Sequence, residues 1–569
     1  MFRNFAASFA ALALAGCATV PTAAPAAPAA TDVGVVSAAD PRAEAAGMAM
    51  LRQGGSATDA AIATMLALTV VEPQSSGIGG GGFMVRGAAD GAVETFDGRE
   101  KAPAGATPEW FLREDGSLPS FGESIKSGLS VGVPGNVALA ALAHEQHGKL
   151  PWAKLFEPAI ALARDGFRIN PRLNGSLAST ADRAGWTETG RSLFFDTAGK
   201  PHPAGHLVVN EELARTFEAL AAAGPQAFYR GPRAEALAAT VAAETPRQGA
   251  MTTADLAAYE AKSRDAVCGT YRDYRICGMG PPTSGGIAVL QILGQLERCE
   301  VEALGAQNPV TWHLFLESQR LAYADREVYL ADSDFVSVPV AGLLDENYLA
   351  RRSALIDPGS TMETVAAGVP AGAPMALADG DEPEERGTSH FAVVDADDTM
   401  VSYTSTVESA FGSGLMSGGF YLNNELTDFS RSPRVDGRLV ANRVEGSKRP
   451  RSSMAPVVVW DPQGRPVLAI GAAGGSTIPV QTARSIIGII DFGMDAETAL
   501  GMPFTMAYGD AVTVEKGTWM EQAMPRFVAL GHAKISAREA GVKANAVLRR
   551  GESWVGARDP RIEAQLILP

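Results

Sequence analysis

The chain reads as a mixed α/β protein, either α+β or layered α/β, and three observations lead there. Apolar residues at helical spacing open the chain and fill its middle, and short strand-like runs between turn residues dominate from residue 388 onward. A length of 569 residues, 46% hydrophobic and 20% charged, is enough to bury a sizeable core. Asp40 followed by Pro41 is an N-cap and N1 pair, and residues 43–51 carry apolar side chains at helical spacing until Gly54-Gly55 stops the run. Ser56 can cap a second helix over 57–71, which is nearly all apolar and so is expected to be buried on most sides. After Pro73 and the glycines at 79–82, Phe83-Met84-Val85 starts a strand, and Asp90-Gly91 turns it into a hairpin that ends near Phe96. Residues 137–260 are helix-rich, and 311–329 continue that pattern. The stretch 366–385 is rich in Gly, Pro, Ala and acids and reads as an exposed, mobile loop. Beyond it, Phe391-Ala392-Val393-Val394, an Asp-rich turn at 395–398 and Met400-Val401-Ser402-Tyr403-Thr404 read as strand, turn and strand. Further strands are expected at 457–460 and 466–470.

The formal charge of -16 argues against a nucleic-acid partner, because Lys and Arg drive phosphate binding. The first residues form a targeting segment, with Arg3 as a positive n-region and an apolar run over 5–15, too short to span a bilayer. Leu14-Ala15-Gly16-Cys17 matches a lipobox, in which Cys17 is lipidated and becomes the mature N-terminus; a plain signal peptide is the alternative. Residues 1–17 are then the leader and 18–32 an Ala- and Pro-rich tether. Either reading predicts an exported protein, periplasmic and, with the lipid, anchored to a membrane.

Cys268, Cys277 and Cys299 show no metal-ligand spacing. A hairpin turning at Arg272-Asp273 sets Cys268 opposite Cys277 as a non-hydrogen-bonded pair, whose Cα separation of about 4.5 Å suits a disulfide. The alternative is two small buried residues, with Cys299 a free thiol on a helix.

Three local motifs fail their structural context. Gly128-Leu129-Ser130-Val131-Gly132 has the pattern of a serine-hydrolase elbow, but Val133-Pro134-Gly135-Asn136 intervenes before any helix. His144 and His147 lack the four-residue spacing of a zinc helix, since position 148 is Gly. The glycine run at 79–82 follows a helix and has no Lys-Ser/Thr after it, so it reads as a tight turn or close backbone contact rather than a phosphate loop. Gly387-Thr388-Ser389-His390-Phe391 places a hydroxyl residue at a strand start just after the acidic loop, a pattern that is usually structural when it stands alone.

From residue 35 onward, however, the chain resembles the γ-glutamyltransferases, or glutathione hydrolases. The resemblance is carried by residues 40–59, the run Val71-Glu72-Pro73-Gln74-Ser75-Ser76 through Phe83, Asp97-Gly98-Arg99-Glu100, and Gly387 to Phe391. It continues in Asn423-Asn424-Glu425-Leu426-Thr427-Asp428-Phe429, Arg449-Pro450-Arg451-Ser452-Ser453-Met454, Gly474-Gly475-Ser476 and Asp559-Pro560-Arg561. It implies a four-layer αββα fold of the N-terminal-nucleophile hydrolase type and a zymogen that cuts itself after Gly387. The products would be a large subunit, 33–387, and a small one, 388–569, together forming one catalytic domain. No cofactor and no metal are expected; the partners are small γ-glutamyl substrates.

Thr388 would be the nucleophile, with its freed α-amino group as base, since that group's reference pKa of about 7.7 to 8.0 lies near working pH. The resemblance has Thr406 hydrogen-bond the nucleophile and the backbone amides of Gly474 and Gly475 meet the oxyanion. A γ-glutamyl group carries an α-carboxylate, which Arg99, Ser452 and Ser453 can bind, and an α-ammonium, which matches Glu425 and Asp428. Two departures stand out. Glu408 replaces the family's usual Asn two residues beyond Thr406, adding a third acid that is costly unless one is protonated or the ligand is more cationic. The segment between Asp428 and Arg449 looks short and has no Tyr to lid the pocket, which favours hydrolysis over transfer. Two alternatives stay open: an acylase of the same superfamily acting on glutaryl-type or cephalosporin side chains, and a lipid-anchored binding protein without catalysis.

Overall fold

The computed structural model describes residues 33–247, 249–374, 378 and 387–568. The leader with Cys17, the tether and half of the acidic loop expected at 366–385 lie outside the described residues.

Numbered along the chain, the principal strands are β1 (Gly34–Ala38), β2 (Gly81–Gly87), β3 (Val93–Asp97), β4 (Lys262–Arg264), β5 (Ala266–Tyr271) and β6 (Tyr274–Met279). They continue with β7 (Ser389–Asp395), β8 (Met400–Thr406), β9 (Val457–Trp460), β10 (Pro466–Ala473), β11 (Lys543–Arg550) and β12 (Ser553–Arg558). The principal helices are α1 (Pro41–Arg52), α2 (Ala57–Val71), α3 (Asn136–His147), α4 (Gly285–Leu296), α5 (Pro309–Tyr329) and α6 (Ile478–Ile490). Two six-stranded sheets result, in the orders β1-β7-β8-β2-β3-β4 and β12-β11-β10-β9-β6-β5, antiparallel throughout.

Side chains of β7 show how the layers stack. Phe391 and Val393 enter a core shared with α1 and α2, while Ala392 and Val394 enter a second core shared with β9, β10, α4 and α6. The order is therefore helix, sheet, sheet, helix, the αββα sandwich. With both faces covered, β7 and β8 are continuous buried runs rather than alternating ones. Between the sheets, Ser402 Oγ donates to Ile470 O at 3.0 Å and accepts from Val457 N at 3.0 Å.

The helix starts follow the capping chemistry. Asp40 accepts from Arg42 N at 2.9 Å with Pro41 in the first turn, and Ser56 and Asp59 form a capping box on α2, all of whose residues are buried. In the β5–β6 hairpin, Arg272 and Asp273 take φ of 50° and 66°, the positive values a two-residue turn demands. That register pairs Cys268 with Cys277, which are joined as a disulfide across a Cα separation of 4.2 Å. Cys299 is a free cysteine but sits in a bend beyond the end of α4, not on a helix. Among the described residues, no helix is long and apolar enough to cross a membrane.

Candidate active site

Thr388 stands immediately before β7. The β7–β8 register sets Ser389 against Ser405, so Thr406 at the end of β8 comes alongside Thr388. Thr388 Oγ1 donates to Thr406 Oγ1 at 3.1 Å, and Thr406 Oγ1 also accepts from Glu408 N at 2.8 Å. Thr388 holds φ at 141°, a backbone state that costs a β-branched residue on the order of 1–3 kcal/mol. Gly387 is required by packing: a Cβ there would lie 1.8 Å from Glu408 O. Gly80 is required in the same way, since its Cβ would meet Thr406 O at 1.9 Å, so the glycine run is the close backbone contact that its sequence suggests.

A constricted cavity of about 10 Å³ opens at this point. It is lined by Arg99, Gly387, Thr388, Thr406, Glu408, Glu425, Asp428, Ser452 and Met454, bringing together most of the residues singled out from the sequence. Arg99 leaves β3 just after Asp97, which accepts from Arg99 N at 2.8 Å. Its guanidinium is bound by both Glu425 and Asp428 and donates to Arg451 O at 2.8 Å and Pro450 O at 3.1 Å. Arg99, expected to take a carboxylate, and the two acids, expected to take an ammonium, thus meet in one buried ion cluster. Asn423 braces the acid-bearing loop by accepting from Glu425 N at 3.0 Å and Gly132 N at 2.9 Å. Ser452 lines the cavity, whereas Ser453 Oγ is turned to Arg326 of α5 and accepts from it at 2.7 Å.

Burial, and then the charge of Asp428, push Glu408 up to about 8, although Asn424 Nδ2 donates to its carboxyl at 2.7 Å. Burial likewise raises Glu100, to about 8, and raises Glu425 against the pull of Arg99. Burial thus favours protonated forms within this cluster, one of the two ways in which a third acid becomes tolerable.

On the other side of Thr388, the end of β10 delivers Gly474 and Gly475 to the start of a short 3₁₀ turn leading into α6. Gly474 adopts φ of 123°, and Thr477 Oγ1 ties its carbonyl at 2.7 Å. Gly474, Thr388, Arg172 and Lys543 line a second cavity of about 170 Å³. Sequence reasoning missed the charged groups here. Lys543, the first residue of β11, donates to Thr388 O at 3.1 Å and Ser389 Oγ at 2.8 Å and pairs with Glu72 at 2.6 Å, while Glu72 also holds Arg172. Burial works to raise Glu72, but Arg172 and Lys543 outweigh it and hold the carboxyl at about 2.

The motifs set aside on context behave accordingly. Ser130 Oγ donates to Ile125 O and Ser127 O at 2.7 Å, and His144 Nε2 bonds Leu150 O at 2.8 Å. His313, Glu317 and His532 converge in the fold, but their atoms are engaged: the two imidazoles bond each other at 2.8 Å, and Glu317 accepts from Arg320, Thr361 and Met362 N.

With this geometry in place, known proteins supply the context. A family model described as gamma-glutamyltranspeptidase matches residues 43–568. The glutathione hydrolase proenzyme of Escherichia coli K12 is 35% identical over 540 residues, 93% of this chain and 90% of that protein. The glutathione hydrolase proenzyme of Bacillus subtilis strain 168 is 36% identical over 485 residues, 83% of this chain and 80% of that protein. Among solved structures, a cephalosporin acylase from Bacillus halodurans superposes with a TM-score of 0.82 at 26% identity, covering 95% of this chain and 97% of its own.

Proposed function

The chain belongs to the gamma-glutamyltranspeptidase family, and from that premise we propose how its site works. It is an enzyme of the γ-glutamyltransferase and glutathione hydrolase kind. In the precursor, Thr388 Oγ1 attacks the carbonyl carbon of Gly387, helped by the strained φ on the scissile side of Thr388. The Gly387–Thr388 C–N bond breaks as its nitrogen takes the hydroxyl proton, and water then hydrolyses the resulting ester, leaving Gly387 as a carboxylate and Thr388 with a free α-amine and its hydroxyl restored. Because Gly387 also lines the substrate cavity, its release widens the space beside Arg99.

In the mature enzyme the α-amine takes the hydroxyl proton as Oγ1 bonds to the γ-carbonyl carbon of the substrate, and Thr406 orients the hydroxyl. The oxyanion is met by the amides of Gly474 and Gly475; donors of this kind are worth about 2.7 to 4 kcal/mol each in other acyl transfers. The C–N bond then breaks, its nitrogen takes the proton, and a γ-glutamyl ester remains on Thr388. Water or an acceptor amine attacks that ester, giving hydrolysis or transfer.

The observation that carries this reading is Thr388 Oγ1 held at 3.1 Å by Thr406, on the edge of a cavity built from one guanidinium and several acids. Such a cavity is suited to a zwitterionic α-amino acid head. A glutaryl group has no ammonium to offer those acids, so the structural likeness to a cephalosporin acylase supports only the second reading, acylase activity. Rates on a γ-glutamyl anilide and on the matching glutaryl anilide separate the two. At least tenfold higher kcat/KM on the γ-glutamyl compound is expected, and the reverse order would select the acylase. We also propose export, with Cys17 lipidated; metabolic labelling with a fatty acid that fails to mark the wild type would remove the lipid from the account.

A further inference from the structure

We propose that Lys543 is a positioning residue for catalysis: its ammonium, held against the Thr388 carbonyl, keeps the freed Thr388 α-amine in its unprotonated, basic form. The inference rests on Thr388 being the processed nucleophile.

The geometry is specific. Lys543 is 5% exposed and spends its hydrogen bonds on Thr388 O, Ser389 Oγ and Glu72, two of them on the nucleophile and its neighbour. Strand β11 fixes its backbone, and Lys543 N donates to Gln481 Oε1 at 3.1 Å. Gln481 Nε2 in turn reaches Ala473 O at 2.8 Å and Thr477 Oγ1 at 2.7 Å, so the same residue is tied to the glycine turn that faces the oxyanion.

Charge counting gives the direction. Lys543 and Arg172 share the single carboxylate of Glu72, which leaves a surplus of one positive charge beside Thr388. Asp40 is occupied by Arg42 and Asn170. His390 is held neutral, pushed down to about 3 by burial and by Lys543. Across the nucleophile, Arg99 is matched by Asp428, while burial favours the protonated forms of Glu425 and Glu408. A like charge next to an amine disfavours its protonation. Burial, then Arg172, bring Lys543 down to about 7, so its charge is fullest on the acid side, where an N-terminal amine would otherwise take up a proton. A residue that only braced the Thr388 carbonyl would affect rate or stability without moving the ionisation of the base.

The test is the pH profile of kcat/KM on a γ-glutamyl anilide for processed wild type, Lys543→Met and Lys543→Arg. With the cation removed, the acid limb of Lys543→Met should rise by about one pH unit, and Lys543→Arg should keep the wild-type limb. An unmoved limb in Lys543→Met, or equal movement in both variants, overturns the proposal. If Lys543→Met does not fold or process, the wild type decides by itself through carbamoylation of the Thr388 amine by cyanate, followed by mass spectrometry across pH. Half-maximal reactivity below about 7.7, the lower reference value for such an amine, supports the proposal, and reactivity at or above it overturns it. A wild-type protein that is never cut before Thr388 would instead sink the nucleophile itself, an outcome read directly from the same spectra.

Discussion

Replacing Glu408 by Gln tests the carboxylate cluster that distinguishes this site. The side chain is 3% exposed, and its ordinary value of 4.5 is raised to about 8 by burial and by Asp428. A raised carboxyl binds its proton more tightly in the folded state than in the unfolded one. Its contribution to stability is therefore complete below the unfolded value and is lost as pH rises toward 8. Integrating the two titrations puts the lost stability at about 1 kcal/mol at pH 5 and about 4 kcal/mol at pH 8. Gln has nearly the same shape, can still accept the 2.7 Å bond from Asn424 and carries no proton to lose. With an unfolding entropy of about 1.2 kcal/mol/K for a chain of 569 residues, the growing gap of about 3 kcal/mol becomes 2 to 3 °C. Scanning calorimetry of processed wild type and Glu408→Gln at both pH values should show the variant's advantage in Tm growing by about that amount. An advantage independent of pH, or a variant less stable at pH 8, would mean that Glu408 does not hold a proton in the folded protein.

Two further outcomes follow. Thr406→Ala removes the acceptor of the Thr388 hydroxyl and should lower kcat about 10- to 100-fold on a γ-glutamyl anilide with KM within about threefold, while Thr406→Ser keeps most of the rate. Cys268→Ser opens the loop closed by the Cys268–Cys277 bridge and should cost about 2–3 kcal/mol, read as a fall of about 2 °C in Tm under oxidising conditions that disappears in excess reductant.

Much of the scaffold is legible because its determinants are local. The capping pair Asp40-Pro41, the capping box of Ser56 and Asp59, and the unbroken apolar run of α2 mark helices by themselves. The Arg272-Asp273 turn, by setting register, places Cys268 opposite Cys277. Thr388 is different, because a strand-start threonine has no local signature, and only the company of Gly387, Thr406 and the downstream motifs singles it out. Contacts between distant single residues are not legible at all. Lys543 and Glu72 lie 471 positions apart, and nothing beside either one announces a partner. Ser453 turns from the cavity because Arg326 of α5 reaches it, which its position next to Ser452 does not disclose. The pairing of Arg99 with Glu425 and Asp428 is likewise a product of the fold, since nothing in the sequence around any of the three announces it. Glu408 could be recognised as a departure from the sequence, but its protonation depends on burial.

The most direct test is the intact mass of the purified protein beside that of Thr388→Ala. The wild type should yield two fragments, one beginning at Thr388, and the variant should remain a single uncut chain. An uncut wild type, or a Thr388→Ala variant cut at the same bond, would contradict Thr388 as the nucleophile.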